Sequence, residues 1–264
     1  MCATCGCGDE VGTRLIDLRD GVVVHLRDDD HGHGQDHEHG HDHEHGHDHE
    51  HGHDHEHLQA KTTETLSLEM RVLAKNDELA SDNRSWLADR GVFAVNLMSS
   101  PGSGKTTLLE RTVRLLGDAT PVYVVEGDQE TTFDAERIGA AGAPVVQINT
   151  GAGCHLDAAM LRSALDALDP AGGVVLIENV GNLVCPALFD LGEAARVVIM
   201  SVTEGADKPL KYPHIFASAT LILLNKIDLL PYVDFDVERF THDVGLVNPQ
   251  AQIQHVSATH GTGL

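Results

Sequence analysis

Residues 92–116 read VFAVNLMSSPGSGKTTLLERTVRLL, and this stretch decides the fold. An apolar run comes first, then a Gly- and Ser-rich turn, then a segment with helical character. The turn fits the pattern G-x-x-x-x-G-K-[ST] over residues 99–106, except that Ser99 stands where the pattern has its first glycine. The amides of such a loop, together with the N-terminus of the helix that follows, cradle phosphate oxygens. Gly102 and Gly104, flanking Ser103, let the backbone approach closely. Lys105 is placed to reach the β- and γ-phosphates, Thr106 to hold Mg²⁺, and Thr107 follows within the same site. A chance Gly/Ser turn is the competing reading, and the strand–loop–helix context weighs against it.

Downstream, further apolar runs alternate with helical stretches: PVYVVE, PVVQIN, GVVLIE, ARVVIM, ATLILLN and AQIQHV. Runs without polar alternation fit strands buried on both faces. Their alternation with helices predicts an α/β fold over residues 92–264, a P-loop nucleotide-binding domain with a mostly parallel, doubly wound sheet. The sequence ends at GTGL, where a closing helix is expected, which leaves the stability of the sheet edge open.

Guanine recognition is expected from NKID, at the end of ATLILLN. The Asp228 carboxylate can accept from guanine N1 and N2, a donor pair that adenine lacks. Asn225 would support the loop and base, with the Lys226 stem along the ring. Ser257 and Ala258, in VSAT, resemble the last GTPase motif, whose backbone supports the base. Between these motifs, Glu178 ends one predicted strand, and Glu126 and Asp128 end another. Asp128 and Glu178 join Lys105 and Thr106 as candidate catalytic residues, holding Mg²⁺ or positioning the attacking water. A solvated strand-end carboxylate is the alternative for each acid, most seriously for Glu126. No arginine suggests itself as a finger supplied in cis, so turnover should be slow.

The N-terminal third has a different character. Residues 1–27 form a Cys-rich segment that opens MCATCGC, with GVVVHL as one candidate strand. Residues 28–57 repeat HGHDHE from His39, His45 and His51, with nothing apolar to offset ordering entropy; this tract should be disordered without metal. It holds thirteen of the nineteen histidines, counted over residues 31–57. His39, His41, His43, His45, His47, His49, His51, His53, His55 and His57 are its candidate ligands, binding several Ni²⁺ or Zn²⁺ ions weakly. Residues 58–91 read as a helical lead-in, with the helix over 62–90, a candidate break near Ser81–Asn83 and a stop at Gly91.

A formal charge of −23 makes nucleic acid or an anionic membrane surface an unsuitable partner. No apolar stretch is long enough to span a bilayer, and no leader is expected at the N-terminus. Five cysteines, three of them crowded at the start, suggest thiol ligands in a reducing, cytoplasmic setting.

MCATCGC, the His tract, NLMSSPGSGKTTLL, EGDQETTFDAERI, NTGAGCHLDA, ENVGNLVCP, VTEGADKPLKYP and NKIDLLPY together resemble the hydrogenase nickel-incorporation GTPases of the HypB family. The urease accessory GTPases are the second-best resemblance. They are expected to lack both the Cys-x-x-Cys-x-Cys opening and the ENVGNLVCP segment. The HypB resemblance implies a GTP-dependent homodimer that hydrolyses GTP to GDP. It also implies a tight nickel site matched by Cys2, Cys5 and Cys7, and a second site at the dimer interface matched by Cys154, His155 and Cys185. That second site would take zinc or nickel according to the nucleotide. Lys208 would reach the partner protomer's nucleotide. A hydrogenase large subunit and another nickel-maturation factor would be the partners.

Ligand chemistry is compatible with both sites. Three thiolates and a terminal amine exposed by Met1 removal suit planar Ni²⁺, although a zinc or redox-active tip remains an alternative. Without the resemblance, Cys154 and Cys185 would read as two unrelated core cysteines. Two functions stay open: a slow GTPase that gates nickel transfer, and a nickel and zinc store.

Overall fold

A computed structural model of the chain describes residues 13–26, 55–129 and 131–264, with the side chains of the first helix described from Met70 onward. The tip cysteines Cys2, Cys5 and Cys7, and His39 through His53, lie outside the described residues. Two short strands, β1 (Arg14–Asp17) and β2 (Val22–His25), precede α1 (His55–Asp89). Then follow β3 (Val92–Ser99), α2 (Lys105–Leu116), β4 (Val122–Asp128), α3 (Phe133–Ala140), β5 (Val145–Asn149), α4 (Ala158–Leu168) and β6 (Gly173–Glu178). The chain continues through β7 (Ala195–Ser201), α5 (Lys208–Lys211), α6 (Pro213–Ser218), β8 (Leu221–Asn225), α7 (Val237–Val247) and β9 (Gln252–His255).

All nine strands share one sheet, in the order β2-β1-β5-β4-β6-β3-β7-β8-β9. The seven apolar runs become β3 to β9, and every pairing among them is parallel. Helices cover both faces of β3 to β8, which is why these strands lack polar alternation; the edge strand β9 is exposed at Gln252, Gln254 and His255. Leu97 and Met98 show this on β3. Leu97 packs with Leu108 and Leu109 of α2, whereas Met98 packs with Phe216 of α6 and Phe240 of α7. The face of α1 and α4 is sealed by Leu87, Leu161 and Leu165 against Ala94, Val125 and Ile177. Phe216 and Phe240 are fully buried, and truncating either to alanine should cost about 3–5 kcal/mol.

GVVVHL supplies a strand as expected, β2; it pairs with β1, a strand the sequence reading missed, and this hairpin adds antiparallel to β5. Two expectations about the lead-in need correcting. The lead-in is one uninterrupted helix from His55, so residues 55–57 of the His tract are helical, although their side chains lie outside the described set. No break occurs at Ser81–Asn83, because Asn83 turns inward and donates to the carbonyls of Ala158 (2.8 Å) and Leu191 (3.0 Å). A polar residue that looked like a break is instead a buried bracket between α1 and the loops beneath it. Gly91 does end the helix, with φ +65. After β9, residues 256–264 form a turn closed by the Ser257–Thr262 bridge.

A candidate nucleotide cleft beside a metal-ligand cluster

The site lies at the C-terminal ends of the parallel strands, the usual location in open α/β sheets. The phosphate loop joins β3 to α2, with Gly102 and Gly104 at φ +75 and +98. Gly104 has two reasons to be glycine. Its φ is left-handed, and a Cβ there would sit 2.6 Å from Asn225 Nδ2. Lys105 is buried and donates from Nζ to Ser99 Oγ at 2.9 Å. The departure from the glycine consensus therefore places a hydroxyl against the loop lysine.

Thr106 Oγ1 donates to Glu178 Oε1 at 3.0 Å. In the parallel register Glu178 stands opposite Glu126, and both carboxyls are buried. Neither is the solvated strand-end acid considered from sequence. Burial, and secondarily the neighbouring Glu178 charge, pushes Glu126 up to about 9. Burial likewise raises Glu178 to about 7, against the pull of Lys105 and Thr106. One oxygen of each, Oε2, has no hydrogen-bond partner. Buried carboxylate oxygens left unsatisfied beside a threonine hydroxyl and a phosphate loop fit a hard cation such as Mg²⁺. Asp128 accepts from the Thr131 amide and hydroxyl, both at 2.9 Å.

At the base end, Asn225 ties two loops together. Its Nδ2 donates to the Ser103 carbonyl at 2.9 Å, and its Oδ1 accepts from the Ala258 amide at 3.0 Å. Lys226, at φ +61, donates from Nζ to the Gly102 carbonyl at 2.7 Å. Asp228 accepts from Ser257 Oγ at 2.6 Å, a bond that holds its carboxyl below the ordinary aspartate value. The three sequence-distant motifs thus converge on one loop cluster.

A cleft of about 570 Å³ is lined by the phosphate loop, Glu126, Asp128, Glu178 and Lys226, and also by Cys154. Cys154, His155 and Cys185 present their ligand atoms within 4.8 Å of one another. These residues come from two loops, one after β5 and one after β6, so spacing alone could not pair them. His155 stacks on Phe189 with ring centroids 3.9 Å apart. Its burial lowers its pKa, which keeps the imidazole neutral and able to ligate at neutral pH. Two thiols and an imidazole suit Zn²⁺ or Ni²⁺.

Several further residues at the site lie within EGDQETTFDAERI and ENVGNLVCP, although the sequence assigned them no role. Asn182 lines the cleft, donates to the Cys154 carbonyl at 3.3 Å, and accepts from the Val184 amide at 2.9 Å. Asn179 accepts from the amides of Leu156 and Val180. Arg137 also borders the cleft, where Glu110 and Asp134 hold its guanidinium. Lys208 is not among the cleft-lining residues. It sits 4.0 Å from Glu204, whose carboxylate also takes the hydroxyl of Ser100 in the phosphate loop.

Among the described residues, no helix is long and apolar enough to cross a membrane. Residues 93–255 match the model of the CobW/HypB/UreG nucleotide-binding domain family. The hydrogenase maturation factor HypB of Azotobacter vinelandii is 58% identical over 200 residues, covering 75% of this chain and 66% of that protein. Its counterpart from Escherichia coli K12 is 56% identical over 200 residues, covering 75% and 69%. The chain thus spans about two thirds of the length of these relatives. Among solved structures, HypB from Archaeoglobus fulgidus matches with a TM-score of 0.68 at 44% identity, covering 72% of this chain and 93% of that one. HypB from Helicobacter pylori in complex with nickel matches at 0.67 and 39% identity, covering 70% and 87%.

Fold and phosphate loop together define a nucleotide-binding protein of the P-loop GTPase class. Within that class the chain belongs to the HypB family of hydrogenase maturation factors.

Proposed function

We propose that this chain hydrolyses GTP to GDP and phosphate and uses the cycle to gate nickel delivery to the large subunit of a [NiFe]-hydrogenase. One observation carries the reading: Cys154 borders the same cleft as the phosphate loop, and Asn182, in the loop after Glu178, donates to its carbonyl. Lys105 neutralises charge on the transferred phosphate, and Asp228 selects guanine. Thr106, with Glu178 and Asp128, would hold Mg²⁺, which neutralises the β/γ-phosphate charge. Asp128 and Glu178 are also the acids available to position the attacking water. GTP bridges two protomers, with Lys208 directed at the partner's nucleotide. A two-fold axis brings two copies of Cys154, His155 and Cys185 together and completes the metal coordination. Hydrolysis loosens that interface and lowers metal affinity, so nickel leaves for a maturation partner. Turnover is slow because Arg137 is already engaged by Glu110 and Asp134.

Cys2, Cys5 and Cys7 act as donor, and the His tract as reservoir. The thirteen histidines of residues 31–57 also favour a second reading, a nickel and zinc store in which the GTPase domain is secondary. Lys105→Ala separates the two. The gating account expects GTP hydrolysis and nickel delivery to an apo large subunit to fail together, with nickel still bound by the chain. Delivery at the wild-type rate without hydrolysis would favour the store.

A further inference from the structure

We propose that His260 is a positioning residue for guanine recognition: it fixes the Ser257 hydroxyl on Asp228, and when it takes up a proton it weakens the hold of Asp228 on the base. The inference rests on the proposed selection of guanine by Asp228. It deepens that reading by naming a second residue that sets its strength.

Hydrogen counting carries the argument. Ser257 is buried, and its Oγ lies 2.6 Å from Asp228 Oδ1, 3.2 Å from the His260 backbone nitrogen and 3.3 Å from His260 Nδ1. A carboxylate only accepts, so the single hydroxyl hydrogen of Ser257 goes to Asp228. Toward His260 the same oxygen then only accepts, and it takes hydrogen from the backbone amide and from Nδ1. The hydroxyl thus has its one donor and both lone pairs engaged, and Asp228 is held in one orientation. His260 Nδ1 also stands 3.7 Å from Asp228 Oδ2, the second carboxylate oxygen. The imidazole therefore acts on both oxygens, on one through Ser257 and on the other by charge.

The turn that carries His260 is itself fixed. The Ser257 amide donates to the Thr262 carbonyl at 2.9 Å, and the Gly261 amide donates to the Ser257 carbonyl at 2.8 Å. Gly261 takes φ +76, a conformation that glycine adopts without strain. Of the charged groups around the turn, Arg111 of α2 is bonded to the Thr259 carbonyl and Lys226 to the Gly102 carbonyl. Asp228 is the charged group that faces the imidazole.

Guanine offers N1–H and N2–H to the two Asp228 oxygens. Hydrogen bonds to an ionised acceptor are about twice as strong as neutral ones. A histidine changes charge between about pH 5 and pH 8. The His260 side chain is 63% exposed, so the proton comes from solvent, at Nε2. The resulting imidazolium pairs with Asp228 and offsets its charge, and the guanine donors lose part of their charge assistance. Asp228 itself stays ionised in this range, because the Ser257 bond holds its carboxyl below the ordinary value.

The test is GDP binding to the full-length chain, in Mg²⁺ buffer free of nickel and zinc, from about pH 5.5 to about pH 8. Wild type, His260→Asn and His260→Ala are compared at each pH, which cancels protonation of the nucleotide phosphates and of the other histidines. His260→Asn keeps an N–H for Ser257 and has nothing to titrate. It should match wild type near pH 8 and bind about two- to fivefold more tightly than wild type near pH 5.5, the range of an exposed ion pair. His260→Ala should bind more weakly than wild type near pH 8. In an Asp228→Asn background, His260→Asn should change nothing at either pH. A wild-type to His260→Asn affinity ratio that is constant across pH overturns the inference, as does one that varies equally without the Asp228 carboxylate. His260→Ala binding as wild type does near pH 8 overturns the positioning through Ser257. These results leave guanine selection by Asp228 standing. GDP affinity indifferent to Asp228→Asn overturns that selection and this inference together.

Discussion

The side-chain amide of Asn182 donates to the carbonyl oxygen of Cys154 at 3.3 Å, joining the loop after Glu178 to the loop that carries the candidate metal ligands Cys154 and His155. The same residue accepts from the Val184 amide, next to Cys185. A shift of the β6 loop when a γ-phosphate is present therefore moves both cysteine-bearing segments. Asn182→Ala should leave GTP hydrolysis largely intact while erasing the nucleotide dependence of nickel affinity. Allosteric couplings of this kind are typically about 5–150-fold, and the variant should fall near unity. Calorimetric nickel titrations with GDP and with a non-hydrolysable GTP analogue measure it.

Guanine selection should depend on Asp228, which Ser257 Oγ orients at 2.6 Å. Asp228→Asn replaces an acceptor pair with one acceptor and one donor. The donor then faces the guanine N–H groups. GTP affinity should fall about ten- to a hundredfold, with little loss of thermal stability, because the side chain meets solvent. Competition by other purine nucleotides reads the change in specificity.

Glu126 imposes a pH dependence on the metal-free, nucleotide-free chain. Its ordinary value of 4.5 is raised on folding to about 9, chiefly by burial. Between those values the folded state holds more protons than the unfolded state, so stability falls as pH rises through that window. Glu126→Gln should remove most of this slope and raise the melting temperature by several degrees above neutral pH. Bound Mg²⁺ should flatten the slope in the unmodified chain, since a cation favours the ionised carboxyl. Thermal melts across the pH range, with and without Mg²⁺ and GDP, decide it.

Deleting residues 31–57 removes thirteen of the nineteen histidines. Nickel stoichiometry should drop by several ions per chain, and the weak, acid-labile fraction released below about pH 6.5 should vanish. GTP hydrolysis should be unchanged. Equal loss of both would contradict the separation of reservoir from gate.

Much of this architecture is legible from local pattern. Seven apolar runs become seven parallel strands; β3 to β8 are largely buried, whereas β9 is an exposed edge strand held by its pairing with β8. The phosphate loop reads directly, since Gly102, Gly104 and Lys105 act through backbone conformation and short-range contacts. What escapes notice depends on distance in sequence. β1 is four residues long and gains its identity only by pairing with β5. Asn83 looks like a helix breaker until the carbonyls of Ala158 and Leu191 receive it. Asn182 lies within ENVGNLVCP, but its importance rests on one bond to a loop 28 residues away, which the segment itself does not reveal. Sequence leaves Glu126 between a Mg²⁺-holding acid and a solvated one, and its place opposite Glu178 in the sheet shows it buried.

The most direct test of the central claim is equilibrium nickel binding by the chain without residues 1–57, in GDP and in a non-hydrolysable GTP analogue, with Cys185→Ala alongside. A nucleotide-gated carrier predicts that affinity or stoichiometry differs between the two nucleotides and that Cys185→Ala abolishes the difference. Identical binding in both nucleotides would contradict gating at Cys154, His155 and Cys185.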